Sequence, residues 1–312
     1  MTNKKIKTAL IGLGNIGLKY DYYNKNIISH AKAISKNKNL RFMFAVDKIN
    51  TKVNQFKKKY KIPASNEINS LVKRYKPIFI IIAVKKEQNY QLINSLKKYK
   101  FIKYILIEKP GAKNFLELKK IINVCKKNKI LLFINYNRTF QNKYTNICKE
   151  FRTSKKFKSV YLYNRGLYNN CSHYINLLSQ FIYKPKKISI LKKNPKWNND
   201  IQPDVKIEYK NGEIFLINIG VKNIHHNQFI LITNKTKVVS DNSFGNLNIY
   251  KKNYDSHLFK KTINVEQKYN QKHTLKSIVS LIKSKKKVDK LLTSYKATIQ
   301  ILDKIKLLNN KT

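Results

Sequence analysis

The stretch TALIGLGNIGLKY, Thr8 to Tyr20, decides the fold. Its apolar run predicts a strand over Ile6 to Ile11 and passes directly into three glycines, Gly12, Gly14 and Gly17, spaced as GxGxxG. Glycines after a strand allow a tight turn, close backbone approach to a pyrophosphate, and close helix-to-strand packing. The amides of Gly12, Leu13, Gly14, Asn15, Ile16 and Gly17 would then face phosphate at a helix N-terminus. The next predicted strand, Leu40 to Val46, ends at Asp47 in FMFAVDKIN. A carboxylate there accepts hydrogen bonds from ribose hydroxyls and repels a 2′-phosphate, which favours NAD(H), with NADP(H) as the alternative. The glycine-to-Asp47 spacing is longer than usual because YDYYNKNIISH, Tyr20 to His30, is inserted near the first helix. The competing reading is a ligand-free turn with a solvated Asp at a strand end, and strand, turn and acid together favour the dinucleotide.

Outward from this turn, the first 135 residues alternate short apolar runs with amphipathic segments, the rhythm of a parallel sheet with crossover helices. Further strands are predicted at Ile78 to Ala83, Tyr104 to Ile107 and Ile130 to Ile134, and helices at Asn66 to Arg74, Gln88 to Tyr99 and Asn114 to Lys127. Consecutive apolar positions such as IFIIIAV suit strands covered on both faces. Beyond Asn135 β patterns follow one another. VKIEYKNGEIFLINIG places Asn211-Gly212 between two alternating runs, a strong hairpin signal. Other β candidates are Val160 to Tyr163, Phe229 to Thr233, Lys237 to Ser240 and Leu247 to Tyr250, and Thr274 to Leu308 is helical in two pieces. Two closely packed domains are expected, 1–135 and 136–312, with the last helix packing back on the first.

The formal net charge of +50 would suggest a polyanionic partner. Yet only Arg41, Arg74, Arg138, Arg152 and Arg165 are arginines, the residue that reads phosphate and guanine with two hydrogen bonds. The lysines are spread over the chain among Asn, Ile, Tyr and Phe, the amino acids of AT-rich codons. The charge is therefore read as genome bias, giving nonspecific attraction at low salt and no specific nucleic-acid function. Cys125, Cys148 and Cys171 lack zinc-ligand spacing, so no metal is expected and they read as reduced thiols. The apolar stretch after Met1 to Lys7 is too short for a signal segment, and no run approaches about twenty apolar residues, so a cytoplasmic protein without a membrane partner is expected.

A second constellation follows in YILIEKPGAKN, where Glu108, Lys109 and Pro110 end the strand from Tyr104 to Ile107. Ligands of open α/β sheets lie at the carboxyl ends of strands, so Lys109 would share a crevice with Gly14; otherwise it is a solvated lysine. NYNRTF closes the next strand, and GLYNNCSHYINLL lies further on. With GxGxxG and EKP, these motifs resemble the glucose-fructose oxidoreductase, inositol dehydrogenase and rhizopine catabolism (Gfo/Idh/MocA) family of NAD(P)-dependent oxidoreductases. The likeness runs from Ile6 to about Leu308 and is thin between Tyr183 and Lys272.

The resemblance implies an α/β Rossmann domain followed by an α+β domain with a large, mostly antiparallel sheet, whose open face serves a homodimer or homotetramer. Lys109 matches the family's EKP lysine and His173 the histidine of its DxGxH pattern. Alcohol oxidation needs a base at the hydroxyl and a charge to stabilise the developing alkoxide, which an imidazole and an ammonium supply. His173 is thus the expected acid/base, with Lys109 as partner; without the resemblance it would read as a core histidine on a helix from Ser172 to Phe181. Asn169 stands where the family has an aspartate and Asn176 where it has another acid. Val84-Lys85 replaces Thr-Pro after Ala83, Asn89 replaces a histidine, and Cys171 replaces the glycine of an NNGSH variant associated with surface-sugar pathways. Ala83, Val84, Glu108 and Lys109 are expected to line the cofactor, Asn169 to join Lys109 and His173 in the catalytic set, and Arg138, Asn169, Asn170 and Asn176 to line the substrate. Arg138 could equally pair with a carboxylate. The implied activity is hydride transfer between nicotinamide and a hydroxyl or ketone carbon of a sugar or nucleotide sugar; the alternative is a drifted relative that binds dinucleotide or a partner without turnover.

Overall fold

A computed structural model describes residues 5–182, 184–220, 226–241, 244–253, 256–284 and 288–311, with backbone alone for 148–153, 253 and 257. The thiol of Cys148, the side chain of Arg152 and the first residues of the Met1 to Lys7 segment lie outside the described set. Two compact units form, one from Met1–Phe140 with Lys268–Leu292 and the other from Gln141–Gln267 with Thr293–Thr312.

The first unit holds β1 (Ile6–Ile11), α1 (His30–Ser35), β2 (Leu40–Val46), α2 (Asn50–Tyr60), β3 (Ala64–Ser65), α3 (Ile68–Tyr75), β4 (Phe79–Ile82), α4 (Lys86–Leu96), β5 (Tyr104–Ile107), α5 (Phe115–Lys127) and β6 (Leu131–Ile134). The six strands form one parallel sheet in the order β3-β2-β1-β4-β5-β6. The strand order reverses between β1 and the parallel β4, so the crevice of a doubly wound fold opens at their carboxyl ends. All four residues of β4 are fully buried, as a strand covered on both faces requires. Each such side chain contributes about 1.5–3 kcal/mol.

The first crossover departs from expectation. A continuous helix does not follow the glycines. One turn closes from Leu18 N to Gly14 O (2.8 Å), a short 3-10 turn follows at Lys19–Asp21, and α1 is six residues long. The cause is the inserted segment. Asp21, fully buried, accepts from the Ile28 amide (2.6 Å), the Ser29 amide (2.8 Å) and the Ser29 hydroxyl (2.5 Å). That carboxylate draws the chain out of the helix, and Ser29 then caps α1 by accepting from Lys32 N at 3.3 Å.

The second unit holds α6 (Asn142–Thr153), β7 (Phe157–Tyr163), α7 (Ser172–Ser179), β8 (Lys187–Lys192), β9 (Asp204–Tyr209), β10 (Gly212–Asn218), β11 (Asn227–Thr233), β12 (Thr236–Asp241), β13 (Asn246–Asn253) and β14 (Ser256–Asn264). Its eight strands run β14-β13-β12-β11-β7-β10-β9-β8, antiparallel except for β7 beside β10. The tight β9–β10 turn is Lys210-Asn211, one residue earlier than the expected Asn211-Gly212, because Gly212 already pairs with Tyr209 as the first residue of β10. α8 (Asn270–Lys283) belongs to the first unit, and α9 (Asp289–Lys311) begins there and continues in the second. The division thus falls at Phe140, beyond the expected 135/136 boundary, and most of α9 groups with the second unit.

One face of the larger sheet is aromatic. Tyr174 of α7 stacks on Tyr161 (4.7 Å between centroids) and Phe229 (5.3 Å), and Phe244 packs on Phe229 at 5.0 Å. These rings seat α7 on the sheet, each pair adding about 0.5–1.5 kcal/mol beyond burial. The opposite face carries half-buried Val160, Leu162, Phe215, Ile217, Ile230 and Val239.

Candidate active site

The glycine turn is built by three different demands. Gly12 has φ +99°, and a Cβ there would lie 2.4 Å from Ala83 O and 3.0 Å from Val84 Cγ1. A Cβ on Gly17 would lie 2.1 Å from Gly12 O. The protein itself forbids side chains at those two positions. Around Gly14 no protein atom stands within 4 Å of where a Cβ would be. The amides of Gly14, Asn15, Ile16 and Gly17 have no acceptor among the described residues, whereas the carbonyls of Ile16 and Gly17 accept from His30 N and Ala31 N, both at 2.9 Å. Clustered amides beside an open glycine surface fit an anion. A dinucleotide pyrophosphate matches that cradle.

Asp47, at the end of β2, accepts from Leu13 N with Oδ2 (2.7 Å) and from Ile49 N with Oδ1 (3.0 Å). Its carboxylate keeps further lone pairs for ribose hydroxyls. Lys52 Nζ lies 3.8 Å from Oδ2, which offsets part of the local negative charge. Gly12, Ala83 and Asp47 meet around adjacent strand ends, since Gly12 N donates to Val46 O and Ala83 N to Ile11 O, both at 2.7 Å.

The EKP turn is pinned on both sides of Lys109. Glu108 Oε1 accepts from His30 Nε2 and from Asn135 Nδ2, each at 2.6 Å, and Asn135 Nδ2 also reaches Gln271 Oε1 at 3.2 Å. Gly111, at φ +93°, accepts with its carbonyl from Asn89 Nδ2 at 2.9 Å. Asn89 is fully buried, so the residue standing in the family's histidine position braces this loop. Between the two anchors Lys109 is half-buried and precedes a cis Pro110. Arg138 is half-buried on a 3-10 turn, Asn137–Phe140, whose last carbonyl accepts from Ser277 Oγ at 2.6 Å. Sequence reasoning missed His30 and Asn135. The histidine inside an atypical insert was the available signal for the first.

In the second unit His173 is the second residue of α7, directly after a π-helical turn at Leu167–Cys171. Asn169 is exposed on that turn, while Asn170 is buried and accepts with Oδ1 from Tyr161 OH at 2.7 Å. Asn169, Asn170 and His173 therefore share one short segment. Asn176 is fully buried and donates to Thr298 Oγ1 of α9 at 3.0 Å, a core contact. Burial pushes the Cys171 thiol well up, with the Asp200 charge adding to it. Among the described residues no group of three or more His, Cys, Asp or Glu is placed to hold a metal ion.

Residues 6–136 match the sequence profile of an oxidoreductase family with an NAD-binding Rossmann fold, GFO_IDH_MocA. Among curated proteins none matches the chain. The fold is shared with UDP-N-acetylglucosamine 3-dehydrogenase GnnA from Acidithiobacillus ferrooxidans, at 11% identity and TM-score 0.79 over 97% of each chain. It is shared with the WlbA dehydrogenase from Bordetella pertussis, solved with NADH and UDP-GlcNAcA, at 12% identity and TM-score 0.76 over 100% of this chain and 97% of that one. An oxidoreductase from Agrobacterium radiobacter, solved with NAD+, L-tartaric acid and magnesium, aligns at 11% identity and TM-score 0.73 over 95% of this chain and 94% of its own. Residues 6–136, which carry the glycine turn and the EKP loop, are thus an NAD-binding Rossmann domain of the Gfo/Idh/MocA oxidoreductase family.

Proposed function

We propose that this chain is an NAD-dependent oxidoreductase that interconverts a hydroxyl and a ketone on a nucleotide-linked sugar. The observation that carries the reading is the open surface over Gly14 beside four amides that have no acceptor among the described residues. In this reading the amides of residues 14–17 hold the pyrophosphate, those of Gly12 and Leu13 being engaged by Val46 O and Asp47, and Asp47 holds the adenosine ribose, with Ala83, Val84, Glu108 and Lys109 completing the cofactor's surroundings. Asp47 favours NAD(H), and Lys52 at 3.8 Å keeps NADP(H) as the alternative. The bound cofactor supplies a hydride acceptor or donor. His173 takes the hydroxyl proton during oxidation and returns it during reduction, and the Lys109 ammonium stabilises the alkoxide. Asn169 and Asn170 orient the sugar, and Arg138 faces an anionic group on it.

The nucleotide-sugar class is supported by the names of GnnA and WlbA, which share the fold. The half-buried apolar sheet face is where we place a second copy, as a homodimer or homotetramer. No helix among the described residues is long and apolar enough to cross a membrane, and we place the enzyme in the cytoplasm.

The test is NADH binding at about 0.2 M salt, where nonspecific attraction by the basic surface is suppressed, followed by turnover on UDP-GlcNAc and UDP-GlcNAcA. Lys109→Ala and His173→Ala should each lose about 10²–10⁴-fold in rate. Absence of binding to either dinucleotide overturns the proposal. Binding without turnover supports the second reading, a drifted relative, which the neutral Asn169 and Asn176 favour.

A further inference from the structure

The turn that carries Asn169, Asn170 and His173 begins with four successive amides, and one loop satisfies all of them. Gly166 N donates to Gln202 Oε1 (3.0 Å), Leu167 N to Ile201 O (2.8 Å), Tyr168 N to Asp200 Oδ1 (3.2 Å) and Asn169 N to Asp200 Oδ2 (2.8 Å). Helix starts ordinarily leave such donors to a local cap or to water. Here three consecutive residues from more than thirty positions away take the role. Gly166 makes room for them: at φ +78° its missing Cβ would lie 2.1 Å from Asp200 Oδ2.

The loop is itself braced. Gln202 Nε2 donates to Pro195 O (2.9 Å), and Asn194 Nδ2 donates to Gln202 O (3.0 Å) and Asp204 Oδ1 (2.9 Å). Trp197 and Asp200 pair through both backbone amides, at 2.9 and 2.8 Å. Three of the clamped amides, those of Leu167, Tyr168 and Asn169, belong to the π-helical turn, a geometry that needs outside support and recurs at functional sites. From Gly166 to His173 the chain has no carboxylate of its own. Among the described residues, Tyr163, Tyr168 and Cys171 lie within the field of Asp200, with Asp204 near Tyr163 and Asp303 near Tyr168; Arg165 precedes the turn in sequence.

We propose that Asp200 is a positioning residue of the acid/base site: bound to the Tyr168 and Asn169 amides, its carboxylate holds the turn that seats His173 and supplies the negative charge the turn itself lacks. This rests on the assignment of His173 as the acid/base. Residues 169 and 173 are one helical turn apart, so a charge fixed on the Asn169 amide lies within a Debye length of the imidazole. That charge stabilises the protonated ring and raises the basicity of His173.

The experiment is titration of His173 by NMR in histidine-labelled full-length protein, its resonance assigned with His173→Gln. In Asp200→Asn, which keeps shape and one acceptor, the His173 midpoint is expected to fall by at least about 0.3 of a pH unit. Adding Asn169→Asp to that variant should return it by restoring a carboxylate to the turn. Trp197, the single tryptophan of the chain, reports through its emission that the loop remains folded. If Asp200→Asn does not fold, Asn169→Asp alone should raise the midpoint. A midpoint unmoved in Asp200→Asn, or in Asn169→Asp where that variant is the one measured, overturns the proposal, as does a double variant that behaves like Asp200→Asn. Where turnover is measurable, kcat should fall about tenfold with NADH affinity unchanged. Where it is not, the titration decides alone, so failure of the dehydrogenase reading is read separately.

Discussion

Asp47 Oδ2 and the Leu13 amide lie 2.7 Å apart, so the acid read as a ribose ligand also ties the glycine turn to the end of β2. Removing it should therefore cost more than one cofactor contact. Hydrogen bonds to charged groups contribute about 1.5–3 kcal/mol, so Asp47→Ala is expected to weaken NADH binding about 10–100-fold. Asp47→Asn retains one oxygen for Leu13 and should weaken NADH less, while narrowing the preference for NADH over NADPH. Isothermal titration with both dinucleotides checks this, and an unchanged preference would contradict the role given to the carboxylate.

Gly14 and Gly17 make opposite predictions from one structure. A Cβ at Gly17 meets Gly12 O at 2.1 Å, so Gly17→Ala should lower the melting temperature and weaken NADH together. A Cβ at Gly14 meets no protein atom within 4 Å, so Gly14→Ala should melt like the parent and still lose NADH affinity about tenfold or more. Thermal unfolding beside fluorescence titration separates the two. Retained affinity in Gly14→Ala would remove the pyrophosphate from this turn.

Much of this architecture is local enough to read from the chain. β1, β2 and β5 begin and end where their apolar runs do, and Asn211-Gly212 points to the β9–β10 hairpin to within one residue of its Lys210-Asn211 turn. The elements left unread carry weak periodicity. α2 buries only Val53 and Phe56 of its eleven residues, and the solvent-facing lysines hide that stripe. β14, SHLFKKTIN, is an edge strand with exposed Leu258 and Phe259, so neither alternation nor burial distinguishes it. In the site, the glycines announce themselves by spacing, Asp47 by its place at the end of a strand, and EKP by its resemblance to the family's motif. The supports do not. His30 reaches Glu108 across 78 positions and Asp200 reaches Asn169 across 31, and no local pattern encodes either contact.

Cys125 links pH to stability. It is buried in α5, where desolvation pushes its thiol from about 9 up to about 12. The folded state keeps this proton while the unfolded chain releases it. The contribution is therefore whole below about pH 9 and is lost as pH rises toward 12, by about 1.4 kcal/mol per unit. Cys125→Ala should cost about 1 kcal/mol at neutral pH through lost packing. Its deficit should then shrink as pH rises from 9 to 11. Urea unfolding of both proteins across that range isolates the thiol, because every other titrating group is common to them.

The buried pair His30–Glu108 gives the sharpest contrast between shape and charge. A carboxylate only accepts, so His30 Nε2 is the donor in their 2.6 Å bond, and Asn135 donates to the same oxygen. Glu108→Gln preserves an acceptor oxygen between both donors and should change stability and NADH affinity little. Glu108→Ala leaves the fully buried His30 Nε2 without its partner, at about 1–3 kcal/mol, and leaves Asn135 Nδ2 with Gln271 Oε1 alone. His30→Ala instead leaves a largely buried carboxylate with one donor fewer and empties a fully buried site, while the backbone amide of residue 30 still donates to Ile16 O. Both alanine variants should lower the melting temperature by several degrees and weaken NADH, since the EKP loop and the glycine turn share this histidine. If Glu108→Gln proves as damaging as Glu108→Ala, the negative charge and not the hydrogen-bond geometry holds Lys109 in place.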